Sequence, residues 1–126
     1  MATILLVEDE VLLREGIQEV LEVNGYTVIA AADGAEALAW LERVPVMLVI
    51  SDLVMPQTNG IEFIQRVRGQ YPNLPILVAS GCSYSVMGQL GISSTKVPGA
   101  TASITKPFKA TELIGWVKQL VPAVCV

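Results

Sequence analysis

The sequence predicts an α/β fold built on a doubly wound, five-stranded parallel sheet. Apolar runs of three to five residues recur along the chain without regular polar alternation, and helical patterns lie between them. Continuous apolar runs of this length are typical of strands buried on both faces, as in parallel sheets. In chain order the runs are TILLV (3–7), YTVIA (26–30), MLVI (47–50), ILVA (76–79) and ASI (102–104), of which the second and fifth are the weaker patterns.

Apolar residues spaced three and four apart predict a helix after each of the first three strands and after the last. The four stretches cover residues 13–21, 34–41, 61–71 and 113–121. Asp33 precedes the second stretch and is a residue type preferred at helix N-caps. Strand and helix thus alternate with short connections, which is the order expected of a doubly wound sheet.

The chain between the fourth and fifth strands departs from this pattern. Residues 81–99 contain four glycines and are rich in serine, so their helix propensity is poor. At the position of a fourth helix we therefore expect at most a short helix near residues 85–90, followed by an irregular loop.

Length and hydropathy indicate one compact unit. A chain of 126 residues, 52% of them hydrophobic and 16% charged, is long enough for one sizeable core. We expect a single domain over residues 1–126, with no output domain in this chain. The longest apolar stretch, residues 44–50, is interrupted by proline and far shorter than the roughly 18–20 residues of a membrane span. The start of the chain lacks the basic region of a secretory signal, so we expect a cytoplasmic protein without a membrane partner.

Charge and residue types exclude several classes of function. Eight basic and twelve acidic residues give a formal net charge of −4, and such a surface is not expected to bind nucleic acid directly. The chain has no histidine, which excludes histidine-activated nucleophiles and histidine metal ligands. Its two cysteines are too few for a disulfide framework, and we expect them to be reduced.

Polar side chains follow four of the five predicted strands. Glu8 and Asp9 follow the first strand, Asp52 the third, Ser80 the fourth and Lys106 the fifth. The carboxyl ends of parallel strands meet at one edge of a sheet, where ligand crevices form. If the strand order is 2-1-3-4-5, the first and third strands are neighbours, and the three carboxylates converge.

Three carboxylates in one crevice repel one another, and a bound cation would relieve that repulsion. Hard oxygen ligands without histidine or cysteine suit Mg²⁺. Asp52 could then be a nucleophile rather than only a metal ligand. A phosphoryl group on Asp52 would need a metal, an ammonium and a hydroxyl donor around it, and Lys106 and Ser80 are the remaining polar groups at this edge.

Taken together, these motifs resemble the receiver domain of response regulators, the phosphoacceptor of two-component signalling. The resemblance covers about residues 4–121 and implies a flavodoxin-like sheet of strand order 2-1-3-4-5. The segments that carry it are LLVEDE (5–10), ADGAEAL (32–38), SDLVMP (51–56) with NG (59–60), ILVASG (76–81) and TKPF (105–108).

The resemblance implies roles for the acidic residues and a metal cofactor. Asp52 matches the phosphoacceptor of the family. Glu8 and Asp9 match the acidic pair that holds Mg²⁺, with Asp9 a direct ligand and Glu8 often acting through water. The backbone carbonyl of Val54 matches the third protein ligand of the metal.

The resemblance also implies the remaining site residues and the partner. Ser80 matches the hydroxyl residue that turns toward the phosphoryl group. Lys106 matches the invariant lysine of the family, and its bond to Pro107 would be cis. The phosphoryl donor would be a phosphohistidine on a sensor histidine kinase or a histidine phosphotransfer protein. The sequence does not name the downstream protein target.

Two features depart from the usual receiver pattern. Receivers usually carry tyrosine or phenylalanine three residues before the lysine, and Ser103 occupies that position here. Ser80 and Lys106 are 26 positions apart, several more than is typical. Because Ser103 cannot act as the aromatic switch residue, we expect phosphorylation to act mainly on residues 81–99.

We consider three functions for this sequence. The first is a stand-alone receiver that works as a phosphorylatable switch and is not itself a classical enzyme. The second is a degenerate receiver that binds proteins independently of phosphorylation; the serine at position 103 favours it and the retained site residues argue against it. The third is a phosphatase with an aspartyl-phosphate intermediate. Such enzymes carry a second aspartate two positions after the nucleophile, where this chain has Val54.

Overall fold

A computed structural model describes residues 2–52, 60–80, 99–105 and 108–121 of the chain. Strands and helices are numbered in the order in which these residues form them. The strands are β1 (Thr3–Val7), β2 (Thr27–Ala31), β3 (Leu48–Asp52), β4 (Ile76–Ser80) and β5 (Ala102–Thr105). The helices are α1 (Val11–Val23), α2 (Gly34–Arg43), α3 (Gly60–Gln70) and α4 (Ala110–Leu120).

The five strands form one parallel sheet in the order β2-β1-β3-β4-β5, which confirms the predicted fold class. Apolar residues that alternate along the strands divide the interior into two cores. Buried Leu5 and Val78 belong to one core together with Phe63 of α3. Buried Ile4 belongs to the other core together with Val117 of α4. The sheet is therefore covered by α2 and α3 on one face and by α1 and α4 on the other, as a doubly wound fold requires.

The strands lie close to their predicted positions, and β3 differs most. The apolar run predicted a strand that stops at residue 50, yet β3 continues through Ser51 and Asp52. These two residues pair with Val78 and Ala79 of β4 in the parallel register. A ladder uses backbone groups and does not require apolar side chains, so the strand extends into polar residues at its carboxyl end.

The helices contain their predicted stretches and extend beyond some of them. Helix α1 begins at Val11, two residues before the predicted apolar stretch. Its first two residues, Val11 and Leu12, are exposed, so they do not belong to the buried stripe whose spacing predicted the helix. The predicted short helix near residues 85–90 lies outside the described residues, as does all of the 81–99 stretch except Gly99. No helix in the described parts of the chain combines the length and apolar character that a membrane crossing needs.

The predicted N-cap of α2 is present. The carboxylate Oδ1 of Asp33 accepts a hydrogen bond from the backbone N–H of Glu36 at 2.8 Å. In return, Oε2 of Glu36 accepts a hydrogen bond from the backbone N–H of Ala32 at 3.1 Å. Two backbone donors at the start of the helix are thereby satisfied by side chains.

Replacing Asp33 by alanine is expected to lower the free energy of unfolding by about 1 kcal/mol, because the cap acceptor is lost. Urea unfolding followed by circular dichroism measures the change. Asp33→Asn is the matched control, since asparagine retains a side-chain oxygen and caps about as well. Equal stability of the alanine and asparagine variants would contradict the capping role.

Arg68 of α3 joins two turns at the amino edge of the sheet. Its guanidinium donates to the carbonyl of Gly99 through Nε at 3.1 Å and Nη2 at 2.8 Å. Nη1 donates to the carbonyls of Pro72 and Leu74, each at 2.8 Å. Gly99 has a φ of +86°, a conformation that glycine adopts without strain. One side chain therefore holds the turn before β4 and the turn before β5 against each other.

Candidate functional site

The predicted acidic residues come together at the carboxyl edge of the sheet. Val7, the last residue of β1, pairs with Ser51 of β3, so Glu8, which follows β1, lies beside Asp52 at the end of β3. A carboxylate oxygen from each of Glu8, Asp9 and Asp52 lies within 4.8 Å of the other two. The convergence predicted from the strand order is therefore confirmed.

The three carboxylates differ in their exposure to solvent. Glu8 is buried, with 2% of its surface exposed, whereas Asp9 is exposed and Asp52 is half-buried. The cluster is thus closed on the Glu8 side and open toward solvent at Asp9. A molecule arriving from solvent can reach Asp52, while the protein encloses the inner carboxylate.

Backbone contacts fix the position of Glu8. Its N–H donates to the carbonyl of Ala31 in β2 at 3.0 Å. Nη1 of Arg14 donates to the carbonyl of Glu8 at 2.9 Å. The backbone N–H of Glu10 approaches Oε2 of Glu8 at 3.4 Å. These contacts connect the acidic pair after β1 both to the neighbouring strand and to helix α1.

The end of β3 holds Asp52 on a rigid element. The backbone of Asp52 pairs with Ala79 in the sheet. The hydroxyl of Ser51 is fully buried and donates to the backbone carbonyl of Asp52 at 2.9 Å. A side chain placed at the end of a paired strand is held in position better than one on a loop.

The arrangement has the chemistry of a site for a hard cation. Three carboxylates this close together destabilise one another when all are ionised. Carboxylate oxygens are the preferred ligands of small divalent cations, and the cluster contains no softer nitrogen or sulfur donor. Glu8, Asp9 and Asp52 could therefore hold a metal ion together.

The remaining predicted residues are described only in part. Ser80 is the last residue of β4, and its backbone pairs with Thr105 of β5, so it lies at the same edge of the sheet as Asp52. The side chain of Ser80 and all of Val54 and Lys106 lie outside the described residues. Ser103 lies on β5 and is exposed.

Arg14 was not predicted as a site residue, although its guanidinium binds the backbone carbonyl of Glu8. An arginine near the start of a helix is usually interpreted as an exposed surface residue, and its residue type alone gave no reason to interpret this one differently. The available signal was its place six positions after Glu8, on a helix that starts at the edge of the sheet carrying the carboxylates.

Comparisons with known proteins agree on one family. The family model described as response regulator receiver domain matches residues 4–118. The structure of the chemotaxis protein CheY4 of Vibrio cholerae is similar, with a TM-score of 0.82, 35% sequence identity, and coverage of 95% of this chain and 98% of that chain. The response regulator TrrA of Thermotoga maritima, solved in complex with Mg²⁺ and BeF, has a TM-score of 0.80 and 30% identity over 95% of this chain and 99% of that one.

Curated relatives show the same likeness in sequence. The response regulator RR06 of Streptococcus pneumoniae is 33% identical over 94% of this chain and 52% of its own length. The aerobic respiration control protein ArcA of Escherichia coli is 36% identical over 87% of this chain and 44% of its own length. The chain thus spans about half the length of these relatives.

Proposed function

Because the chain belongs to the response regulator receiver domain family, we propose that it is a phosphorylatable switch of a two-component phosphorelay, with Asp52 as the phosphoacceptor. The observation that carries the proposal is the cluster of Glu8 and Asp9 around a half-buried Asp52 at the end of β3. Receiver domains are signalling switches rather than classical enzymes.

Asp52 is suited to act as the nucleophile. Its carboxylate is partly accessible and attached to a strand end that the Ser51 hydroxyl and the β4 ladder hold in place. As an oxygen of Asp52 forms its bond to phosphorus, the bond from phosphorus to the imidazole nitrogen of a phosphohistidine breaks, and the imidazole leaves with that electron pair. Catalysis of such a transfer depends mainly on positioning and charge stabilisation.

Glu8, Asp9 and Asp52 would hold Mg²⁺, with the carbonyl of Val54 as a further ligand. The donor set fits, because it consists of hard oxygen atoms and one of its carboxylates is exposed. A bound Mg²⁺ supplies positive charge that offsets the negative charge of a phosphoryl group. Ser80 and Lys106 would add a hydroxyl and an ammonium to the same oxygens.

The phosphoryl donor would be a sensor histidine kinase or a histidine phosphotransfer protein. A donor of that kind supplies the imidazole that this chain lacks. One relative, the sensor kinase CckA of Brucella abortus, is 34% identical over 94% of this chain, and the matched part is 12% of that protein. Segments similar to this chain therefore occur both within a sensor kinase and within response regulators.

A small phosphodonor tests this function against its alternatives. With acetyl phosphate and Mg²⁺, the wild-type protein is expected to take up a single phosphoryl group that is later lost by hydrolysis, as followed by intact-mass spectrometry. Absence of any label would favour a phosphorylation-independent interaction module. Rapid release of many phosphates for each protein molecule would indicate a phosphatase. Either result would contradict the proposed switch.

A further inference from the structure

Arg14 is a cation in the first turn of α1. The helix begins at Val11, which makes Arg14 its fourth residue. A helix dipole places partial positive charge at this end, so a cation there lowers the stability of the helix and an acidic residue would raise it. The stability of α1 therefore does not account for an arginine at this position, and the reason for it is to be found in its contacts.

The side chain of Arg14 contacts the peptide group that joins the two acidic residues after β1. Its Nη1 donates to the carbonyl oxygen of Glu8 at 2.9 Å, and that carbonyl belongs to the same planar unit as the N–H of Asp9. The orientation of this plane sets ψ of Glu8 and φ of Asp9, on which the relative directions of the two side chains depend. One hydrogen bond therefore acts on both carboxylates.

The pairing of the strands does not extend to this carbonyl. The register of β1 with β2 ends at Val7 and Ala31, and the N–H of Glu8 makes one more bond, to the carbonyl of Ala31 at 3.0 Å. The carbonyl of Glu8 lies beyond the ladder, in the three-residue connection 8–10 that leads to α1. Arg14 thus supplies, from the helix, a hydrogen bond that the sheet does not supply.

The guanidinium binds the backbone rather than a carboxylate of the cluster. Among the residues that the structure describes, Arg14 makes no ion pair. An arginine paired directly with Glu8, Asp9 or Asp52 would compete with a metal ion, since guanidinium groups and hard cations bind the same carboxylate oxygens. The observed contact orients the acidic pair and does not occupy one of the oxygens that could bind a cation.

We propose that Arg14 is a positioning residue for the metal site, which fixes the peptide group between Glu8 and Asp9 so that both carboxylates are directed toward a bound Mg²⁺. This inference rests on the proposed function, since it concerns the metal that the phosphoryl transfer requires. As a cation, Arg14 is not a ligand of the metal and acts only through the backbone. Its loss weakens Mg²⁺ binding and leaves the transfer rate at saturating Mg²⁺ unchanged.

The positive charge of Arg14 by itself would have the opposite effect. A cation beside the cluster repels a second cation, so removal of a purely electrostatic arginine would tighten Mg²⁺ binding. Removal of a group that orients metal ligands weakens binding, typically by roughly 10–100-fold. The direction in which Kd changes therefore distinguishes a positioning role from a purely electrostatic one.

Titration of ¹⁵N-labelled protein with Mg²⁺, followed by NMR, measures Kd from the shifts of the backbone amide signals. Arg14→Met retains an unbranched apolar stem without donor or charge, and it should raise Kd about tenfold. The amide signal of Asp9 should also move in the absence of Mg²⁺, because its peptide group loses a hydrogen bond. Arg14→Lys should restore most of the affinity, since its ammonium can donate to the same carbonyl.

A second neutral variant keeps the test available if Arg14→Met fails to fold. Arg14→Gln retains a polar side chain, but its amide is shorter than the guanidinium arm and does not reach the carbonyl of Glu8. It should raise Kd to the same extent as Arg14→Met. Arg66→Met is the matched control, because it makes the same change at an exposed arginine whose ion-pair contact is with Glu62 of its own helix. Its Kd should equal that of the wild type.

Labelling by acetyl phosphate over a range of Mg²⁺ concentrations gives a readout that a loss of stability alone would not produce. In Arg14→Met the Mg²⁺ concentration that gives half the maximal rate should rise about tenfold, while the maximal rate stays at the wild-type value. A variant that was merely less stable would keep the wild-type Mg²⁺ requirement at temperatures well below its melting temperature.

The outcomes separate this inference from the proposed function. If acetyl phosphate labels the wild type, a Kd in Arg14→Met and Arg14→Gln equal to or below the wild-type value would overturn the positioning role and leave the proposed function standing. A reduced maximal rate with an unchanged Kd would overturn it as well and would assign Arg14 to the transfer step. Failure of the wild type to take up label would overturn the proposed function, and the positioning role with it.

Discussion

Asp52→Asn is expected to abolish labelling by acetyl phosphate and by a phosphorylated kinase. The amide has no carboxylate oxygen to attack phosphorus, so the loss should be complete rather than partial. The fold should be retained, because the backbone of residue 52 supplies the pairing with β4. In the absence of metal the variant should be slightly more stable than the wild type, since one of three crowded negative charges is removed.

Asp33→Asn is the matched control for this experiment. It makes the same chemical change at the N-cap of α2, on a carboxylate that is not one of the three in the cluster, and asparagine can still cap the helix. Intact-mass spectrometry should show the wild-type level of phosphorylation for Asp33→Asn and none for Asp52→Asn. Label that persists in Asp52→Asn would place the acceptor on another residue and refute the assignment.

Millimolar Mg²⁺ is expected to raise the melting temperature of the wild-type protein at low salt. Binding to the folded state alone stabilises it by mass action, by about 2.7 kcal/mol at a concentration one hundred times Kd. The cation also relieves the repulsion among Glu8, Asp9 and Asp52. Scanning calorimetry with and without the ion measures the shift directly.

Asp9→Asn should remove most of this gain, because it removes the charge of the exposed carboxylate in the cluster. The same substitution should raise the melting temperature measured without Mg²⁺, since it also removes a like charge. Glu62→Gln is a suitable control, because Glu62 is exposed on α3 and has its own ion-pair contact with Arg66 at 3.5 Å. A wild-type melt that does not respond to Mg²⁺ would contradict the metal site.

Much of the fold could be predicted because the inner strands of the parallel sheet, β1, β3 and β4, are buried on both faces. The runs at residues 3–7 and 76–79 are apolar at nearly every position, and the strands β1 and β4 cover them. The pattern of apolar residues failed at positions that belong to a strand or a helix but are not buried. Asp52 belongs to β3 through backbone pairing alone, and Val11 and Leu12 belong to α1 while exposed.

The acidic cluster could be predicted because strand order and strand ends determine it. Glu8 and Asp52 lie at the ends of adjacent strands, and no knowledge of side-chain packing is needed to bring them together. The exposure of Leu12 at the start of α1 could not be predicted in this way. Whether Leu12 is buried or exposed depends on how α1 packs against α4, and the spacing of apolar residues along α1 alone does not reveal it.

The contacts of Arg68 have a consequence for protein engineering. The hydrogen bonds from Arg68 to Gly99, and that from the N–H of Thr101 to the carbonyl of Ile76 at 2.8 Å, set the register of β5 against β4 at the point where β5 begins. The number of residues between Ser80 and Gly99 does not enter into that register. We therefore expect β5 to keep its register against β4 in variants that carry inserted residues between Ser80 and Gly99, provided that arginine remains at position 68.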